Sequence, residues 1–209
     1  MKTASSRGAL LALTCLLGVF NLAGCQALLL GGAVVGGTMV ATDRRSSATQ
    51  LEDQLIESKA NSRIRELLGE RGKVTVTSYN RLVLLTGDVA TESDKAAVEP
   101  AVARVDNARN VVNELAVMGS ASLNVRSNDL LLSTKVKASI VDAKGLYANS
   151  IKVVTERGVV YMMGRVSEAE ATQASNVARG VTGVVKVVRV FEILSPAEFA
   201  EIQPKAAPK

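Results

Sequence analysis

Residues 73–94 read KVTVTSYNRLVLLTGDVATESD, and residues 150–171, SIKVVTERGVVYMMGRVSEAEA, repeat the same pattern of apolar residues and glycine. An offset of 77 positions aligns Val74 with Ile151, Val76 with Val153, Gly87 with Gly164 and Val89 with Val166. An offset of 76 positions aligns Asp53 with Asp129 and residues 105–112 with residues 181–188. An internal repeat of this length indicates two copies of one folding unit. We therefore predict two domains, at residues 49–118 and 127–195.

The helices of each predicted domain show apolar residues at helical spacing or a capping pattern. An apolar stripe marks the first helix of each copy: Ile56, Ala60, Ile64 and Leu67, then Leu132, Val136 and Ile140. Capping-box patterns mark three helix starts: Thr49-x-x-Glu52, Thr91-x-x-Asp94 and Ser167-x-x-Glu170. Pro100 lies inside the second helix of the first domain. We expect a kink or a shortened helix there, because proline donates no amide hydrogen bond.

Alternating or continuous apolar residues predict the strands. In the first domain a hairpin is expected around Ser78-Tyr-Asn-Arg81, and Arg157-Gly158 is expected to form a tighter turn in the second. A last strand follows the second helix of each copy, at residues 110–117 and 184–194. Each domain therefore has the predicted order helix, strand, strand, helix, strand, which is an α+β arrangement.

The N-terminal residues have the form of an export signal. Basic residues precede an apolar run at residues 9–20, and small residues follow it. Leu22-Ala-Gly-Cys25 matches a bacterial lipobox, in which the cysteine receives a diacylglyceryl group before residues 1–24 are removed. Several acyl chains on Cys25 hold a protein on a bilayer, because each buried methylene contributes about 0.8 kcal/mol. The alternative is an ordinary secretory signal with a chance cysteine.

Three segments outside the two domains are predicted to lack regular structure. Residues 25–48 are interpreted as a flexible Gly/Ala/Val tether beside the bilayer, the alternative being small residues that pack helices inside a membrane. Residues 119–126 form a short polar linker that leaves the relative pose of the domains undetermined. Residues 196–209 contain three prolines and several alanines and are expected to be frayed.

The composition excludes most catalytic chemistry. The chain has no histidine and no tryptophan, and Cys25 has no free thiol once it is acylated. Nucleophile pairs of the Ser-His and Cys-His type, and metal sites built from histidine or thiolate, are thereby excluded. Carboxylate pairs such as Glu66 with Glu70 are interpreted as solvated surface charge. We expect no enzymatic activity, no cofactor and no metal.

Charge distinguishes the two domains. Residues 49–118 hold 9 basic and 11 acidic side chains, a net charge of −2, whereas residues 127–195 hold 9 basic and 6 acidic ones, a net charge of +3. The balance of the whole chain is too even to indicate binding to nucleic acid. The second domain is the one that an anionic membrane surface attracts.

The first helix of the second domain adds an apolar feature to this charge. At 100° per residue, Leu130 and Leu131 point away from the predicted buried stripe. We expect the helix to begin near these leucines, so that free backbone amides with Lys135 and Lys137 hold phospholipid headgroups while the leucines enter the acyl boundary. The alternative is an adaptor that docks a protein or cell-wall partner on the same helix end, with one or two residues dominating the affinity.

These features together resemble the BON-domain lipoproteins of the division- and outer-membrane-stress-associated type, which carry two BON domains behind a lipobox. The resemblance rests on the lipobox, the Ala/Gly/Val stretch ending in Ala-Thr-Asp-Arg44, the signals LVLLTG ending at Gly87 and VVYMMG ending at Gly164, and Ser-Asn-Asp129 followed by Ser-Thr-Lys-Val136. It implies two tandem domains, each with a mixed three-stranded sheet packed against two helices.

The resemblance also implies a function. It implies anchoring on the periplasmic face of the outer membrane, binding to anionic phospholipid chiefly through the second domain, and support of outer-membrane integrity. Gln26, rather than aspartate, follows the acylated cysteine and implies delivery to the outer membrane. Gly87, Gly164 and Gly183 are expected to be structural glycines. The first domain has Asn107-Ala108 where the second has Gly183-Val184, and is therefore expected to be mostly structural.

Overall fold

The computed structural model describes residues 43–119 and 121–202, in which the order helix, strand, strand, helix, strand occurs twice. The first copy contains α1 (Ser47–Leu68), β1 (Gly72–Tyr79), β2 (Leu82–Val89), α2 (Glu92–Ala103), β3 (Asn110–Asn113) and β4 (Ala116–Val117). The second contains α3 (Leu123–Asp142), a 3₁₀ turn (Ala148–Ser150), β5 (Ile151–Glu156), β6 (Val159–Val166), α4 (Glu168–Arg179) and β7 (Lys186–Ile193), and α5 (Pro196–Ile202) follows. Cys25 and the export signal lie outside the described residues.

Each domain is built on one mixed sheet whose middle strand is the second strand of the hairpin. In the first domain β2 pairs antiparallel with β1 and parallel with β3 and β4. In the second domain β6 pairs antiparallel with β5 and parallel with β7. One face of each sheet packs against the two helices of its domain and forms a separate buried core. The predicted α+β fold with a mixed sheet is confirmed in both copies.

The two hairpins close through turns of the same kind. Asn80 and Arg81 have φ angles of 52° and 69°, and Arg157 and Gly158 have φ angles of 50° and 75°. Positive φ at both central residues is typical of the type I′ turn, whose twist suits paired strands. The prediction that the second turn is tighter is therefore wrong, since both are two-residue turns.

A buried aspartate on the first helix holds each of these turns. The Asp53 carboxylate accepts the backbone amides of Asn80 and Arg81, at 2.8 and 2.7 Å. The Asp129 carboxylate accepts those of Arg157 and Gly158, both at 2.8 Å. Charged acceptors make such hydrogen bonds strong, and they satisfy turn amides that the strands leave unpaired. The repeated aspartate thus joins helix to hairpin in both copies.

The first helix of each domain begins earlier than its sequence pattern predicts. Ser46 caps α1, its hydroxyl accepting the amide of Thr49, so the predicted Thr49 cap is wrong. Ser122 caps α3, which begins at Leu123, inside the predicted linker. Thr91 and Ser167 cap α2 and α4 as predicted. The buried stripe of α1 ends on Leu68 rather than on Leu67, which is 36% exposed.

Two irregular positions in the first domain are accommodated without loss of the fold. Pro100 lies inside α2, yet α2 and α4 both have 12 residues, so the predicted shortening is wrong. Asn107 has a φ angle of 67° and takes the place of Gly183, whose φ angle is 103°. Asparagine tolerates this left-handed conformation better than most residues. The same turn therefore precedes the last strand in both domains.

The second faces of the two sheets pack against each other. Tyr79 and Leu84 of the first domain form one buried cluster with Tyr161, Met163 and Val190 of the second. Burial raises the pKa of Tyr161 to about 12. The sequence leaves the pose of the domains open, whereas the structure joins them through a shared apolar layer, and residues 43–119 and 121–202 belong to one compact unit.

Polar contacts border this layer. Arg157 pairs with Asp88 at 2.9 Å, and Lys152 pairs with Glu57 at 3.1 Å. The linker joins them, because the amide of Ala121 donates to Asp88 Oδ2 at 2.9 Å. These charged contacts fix the rotation of one sheet on the other, which apolar packing alone defines less sharply.

The residues just before the first domain and those just after the second are held against the domain pair. Arg44 forms two hydrogen bonds to the Glu170 carboxylate, at 2.8 and 2.6 Å, and its guanidinium carbon lies 4.8 Å from the ring centroid of Phe199 on α5. Arg45 pairs with Asp53 of the first domain at 2.9 Å. The predictions of a flexible tether as far as residue 48 and of fraying from residue 196 are therefore wrong for residues 43–48 and for α5.

Candidate functional site

The outward face of α3 exposes two consecutive leucines. Leu130 is 70% exposed and Leu131 is 60% exposed, whereas the predicted stripe Leu132, Val136 and Ile140 is buried. Single exposed leucines are common on folded proteins. Adjacent leucines on a regular helix, held outward by a buried stripe, form a rigid apolar projection. We name the group of Leu130, Leu131 and Lys135 the α3 face.

Lys135 is the cation of this face. It lies one helical turn beyond Leu131 and is exposed to solvent. Among the residues that the structure describes, it forms no ion pair, whereas Lys152, Arg157, Arg165 and Arg189 of the same domain each pair with a carboxylate. Its charge is therefore available to an external anion.

Lys137 is directed differently from Lys135. Its ammonium group donates to the backbone carbonyls of Ala148 and Ile151, the latter at 2.7 Å. Burial lowers the pKa of Lys137, against a weaker opposing effect of Asp43. This side chain ties α3 to the start of β5, so we do not place it among the groups that meet a headgroup.

The start of α3 is separated from the leucines. Leu130 lies seven residues after Leu123, which at 1.5 Å per residue is about 10 Å along the helix. The free amides of a helix lie in its first turn, and one of them, that of Val125, donates to the Ser122 hydroxyl. The expectation that free amides and leucines share one helix end is therefore wrong.

A cleft of about 500 Å³ opens beside the α3 face. Its walls come from α3, from the β5–β6 turn and from the turn between α4 and β7, and they include Leu131, Lys135, Arg157, Thr182 and Gly183. Arg157 is occupied by Asp88, and Asp129 by the amides of the β5–β6 turn. Asn128, Lys135 and the Thr182 hydroxyl are the polar side-chain groups of these walls that remain for a ligand, and Lys135 is the cation among them. Sequence reasoning missed Thr182, although the offset of 76 already placed it opposite Asp106.

Two of the three predicted structural glycines lie where a larger residue would collide with the neighbouring strand, and the third has a positive φ angle. A Cβ atom on Gly87 would lie 2.1 Å from the carbonyl oxygen of Lys73, and one on Gly164 would lie 2.4 Å from that of Ser150. Both distances are far below contact distance, so the middle strand approaches its hairpin partner closely at these points. Gly183 has a φ angle of 103°, which glycine adopts at little cost.

Residues 43–119 and 121–202 offer neither a metal site of clustered side chains nor a membrane-spanning helix. No cluster of three or more histidine, cysteine, aspartate or glutamate side chains is arranged there to hold a metal ion. None of the helices in these ranges is long and apolar enough to cross a membrane. The candidate site is thus an apolar and cationic surface beside a cleft.

A tandem fold of this kind, with two helices on one face of each mixed sheet, defines the class of the protein. The BON domain family matches residues 52–119 and 128–195, and the chain belongs to the BON-domain family, with two BON domains.

Among its relatives is the Outer membrane lipoprotein DolP of Haemophilus influenzae, 34% identical over 175 residues, which is 83% of this chain and 90% of the relative. The 21 kDa hemolysin of Actinobacillus pleuropneumoniae is 31% identical over 71% of this chain and 78% of its own length. The Osmotically-inducible protein Y of Escherichia coli is 36% identical over half of each chain.

Proposed function

We propose that this protein is a non-enzymatic lipoprotein of the outer membrane, anchored through acylated Cys25 and facing the periplasm. The lipobox around Cys25 and the likeness to an outer membrane lipoprotein over most of the chain support the anchor. In this proposal the second BON domain binds anionic phospholipid through the α3 face and so supports the integrity of the membrane.

The observation that carries this proposal is the exposure of Leu130 and Leu131 beside Lys135. Fully burying a leucine side chain contributes about 1.5–3 kcal/mol. A lysine near an anionic leaflet contributes about 1 kcal/mol. Such a contact is weak for a free protein, but a tether raises the effective concentration of the site at the bilayer. The acyl chains thus supply attachment, and the α3 face sets which surface of the domain pair meets the lipid.

Vesicle flotation of unacylated protein tests this proposal. The chain from residue 25 onward, carrying Cys25→Ser, is mixed with vesicles of phosphatidylcholine alone or of phosphatidylcholine and phosphatidylglycerol in equal parts. Both domains are kept, because an isolated second domain exposes Tyr161, Met163 and Val190. We expect flotation with anionic vesicles only, weakening as salt screens the charge.

Matched leucine variants locate the contact. Leu130→Ser with Leu131→Ser removes the apolar projection of α3 and should abolish flotation. Leu51→Ser with Leu55→Ser is the control, since these α1 leucines are also exposed, at 58% and 53%. Equal flotation of the two variants contradicts the proposed contact. Absence of flotation by the parent protein favours the adaptor that docks a protein or cell-wall partner instead.

A further inference from the structure

The internal repeat allows the α3 face to be compared with its counterpart on α1. With the offset of 76, Leu131 corresponds to Leu55 and Lys135 corresponds to Lys59. Leu55 and Leu131 are similarly exposed, at 53% and 60%. An outward leucine followed one turn later by a lysine is therefore present in both domains. These two residues alone do not distinguish the domains.

The partner of the lysine does distinguish them. In the first domain Lys59 Nζ lies 2.8 Å from Asp106 Oδ2, in the turn that leads to β3. This ammonium group holds the pKa of Asp106 below its usual value. In the second domain the position of Asp106 is taken by Thr182, in the turn that leads to β7. The carboxylate that neutralises the lysine of the first domain is thus replaced by a neutral hydroxyl.

The replacement leaves a cation and a hydroxyl at the edge of the same cleft. Lys135 and Thr182 both line the 500 Å³ cleft beside Leu131, and both also line the groove that continues from it along α4. Lys135 forms no ion pair with any residue that the structure describes, and the corresponding turn contributes Gly183 rather than Asn107, so no side chain extends from that position. A cation and a neutral donor at one opening suit a phosphate group.

We propose that Thr182 makes the second domain lipid-binding by leaving Lys135 unpaired, so that Lys135 and the Thr182 hydroxyl bind the phosphate of one anionic phospholipid headgroup in the cleft. In the first domain the Lys59–Asp106 pair closes the equivalent position. This inference rests on the proposed function and names Lys135 of the α3 face, together with Thr182, as the groups that bind the phosphate. It assigns the choice between the two domains to one repeat position rather than to net charge.

Exchanging the residues at this position tests the inference. Thr182→Asp is expected to pair with Lys135 and to weaken binding to the phosphatidylglycerol vesicles by about tenfold, because it both neutralises a cation and adds a charge that the surface repels. Asp106→Thr is expected to free Lys59 and to restore part of the binding when it is added to the Leu130→Ser, Leu131→Ser protein. Exposed ion pairs contribute little to folding, so these variants should keep the thermal midpoint of the parent.

Thr182→Asn separates the loss of the hydroxyl from the added charge, because it keeps a neutral donor and leaves Lys135 unpaired, so it should weaken vesicle binding clearly less than Thr182→Asp does. Loss of binding by Thr182→Asn equal to that of Thr182→Asp, or parental binding by Thr182→Asp, overturns the inference. Sodium phosphate should also compete better than sodium chloride of equal ionic strength, and equal competition contradicts a phosphate cleft. Failure of the parent protein to bind anionic vesicles is a different result, which contradicts the proposed function itself.

Discussion

Gly164 shows how one residue determines the close approach of two strands. The Gly164→Ala change places a Cβ atom 2.4 Å from the Ser150 carbonyl oxygen, so β5 and β6 must separate. We expect the free energy of unfolding to fall by about 1–3 kcal/mol, as for other overpacked sites. Gly119→Ala is the control, since no atom lies within 4 Å of its added Cβ. Chemical denaturation measures both, and equal stability of the two variants contradicts the strain.

The Arg44–Glu170 pair is the second test at the scale of residues. Both side chains are largely buried, with 5% and 10% exposure, so Arg44→Ala leaves a carboxylate without its partner. We expect a loss of about 3–5 kcal/mol at neutral pH. Glu170→Gln in the Arg44→Ala background should recover part of this loss, because the amide carries no charge. Unchanged stability of Arg44→Ala contradicts the role of the pair.

The same pair predicts a pH dependence. Although burial alone raises it, hydrogen bonds from Arg44 and Ser167 hold the pKa of Glu170 below its usual value of 4.5. A lowered folded-state pKa contributes stability that is present above pH 4.5 and is lost as the pH falls through the folded pKa. The stability difference between the parent and Glu170→Gln should therefore shrink in acid, as thermal melts at neutral and acidic pH would show. A constant difference contradicts this linkage.

The sequence predicts the chemistry of single residues only where the repeat exposes it. The alignment of Asp53 with Asp129 in the repeat indicates a structural role for both, because the same residue occupies the same position in each copy. Lys135 and Lys137 look alike in the sequence, yet Lys137 donates to backbone carbonyls whereas Lys135 is exposed and forms no ion pair with the described residues. The carbonyls that bind Lys137 belong to the 3₁₀ turn and the strand that follow α3, and no local sequence pattern predicts this contact.

At the scale of elements, α2 contains a proline that lowers the stability of the helix. Pro100 is exposed in the last part of α2 and donates no hydrogen bond. Pro100→Ala is expected to raise the free energy of unfolding by about 1–3 kcal/mol, since proline inside a helix is unfavourable by about 3 kcal/mol relative to alanine. Urea denaturation measures the change, with the exposed α2 residue Glu92 changed to Ala as a control expected to lose its favourable helix-terminal charge. A loss of stability in Pro100→Ala contradicts this expectation and indicates that packing of the proline ring stabilises the fold.

The sequence predicts the order of the helices and strands, but it predicts the residues at which they begin and end less accurately. Apolar spacing of 3.6 and of 2 residues separates helices from strands because the buried face of each repeats with that period. The sequence pattern places the starts of α1 and α3 too late, because Ser46 and Ser122 precede the apolar stripe by several residues. In the first domain β3 and β4 are separated at Glu114 and Leu115, where the Asn113 side chain accepts the amide of Leu115.

At the scale of the whole molecule, the packed sheets predict one unfolding unit. Leu84 is fully buried between the domains, so Leu84→Ala should cost about 2–5 kcal/mol. We expect a single calorimetric transition at lower temperature and faster hydrogen exchange in β6 of the other domain. The control Leu67→Ala removes a partly exposed side chain of α1 and should leave β6 unaffected. Two separate transitions, with the second domain unchanged, contradict this coupling.

The sheet-to-sheet interface was the part of the architecture least accessible to sequence reasoning. The continuous apolar run of β6 is typical of a strand buried on both faces, which indicates that something covers its second face. The run does not identify the cover, since the contacts join residues about 80 positions apart, such as Leu84 and Met163. Likewise the exposure of Leu130 and Leu131 was predictable from helical phase, whereas the cleft beside them depends on the turn before β7.

The central claim is that the second BON domain meets the bilayer through the α3 face. A fluorescent probe on Leu131→Cys measures this directly, in a chain that starts at residue 25, carries Cys25→Ser and so has no other cysteine. The same probe on Leu55→Cys reports the matched position of the first domain. We predict that phosphatidylglycerol vesicles with quenchers on their acyl chains quench the probe at position 131 and leave the one at position 55 bright. Equal quenching at both positions, or none at position 131, contradicts the account.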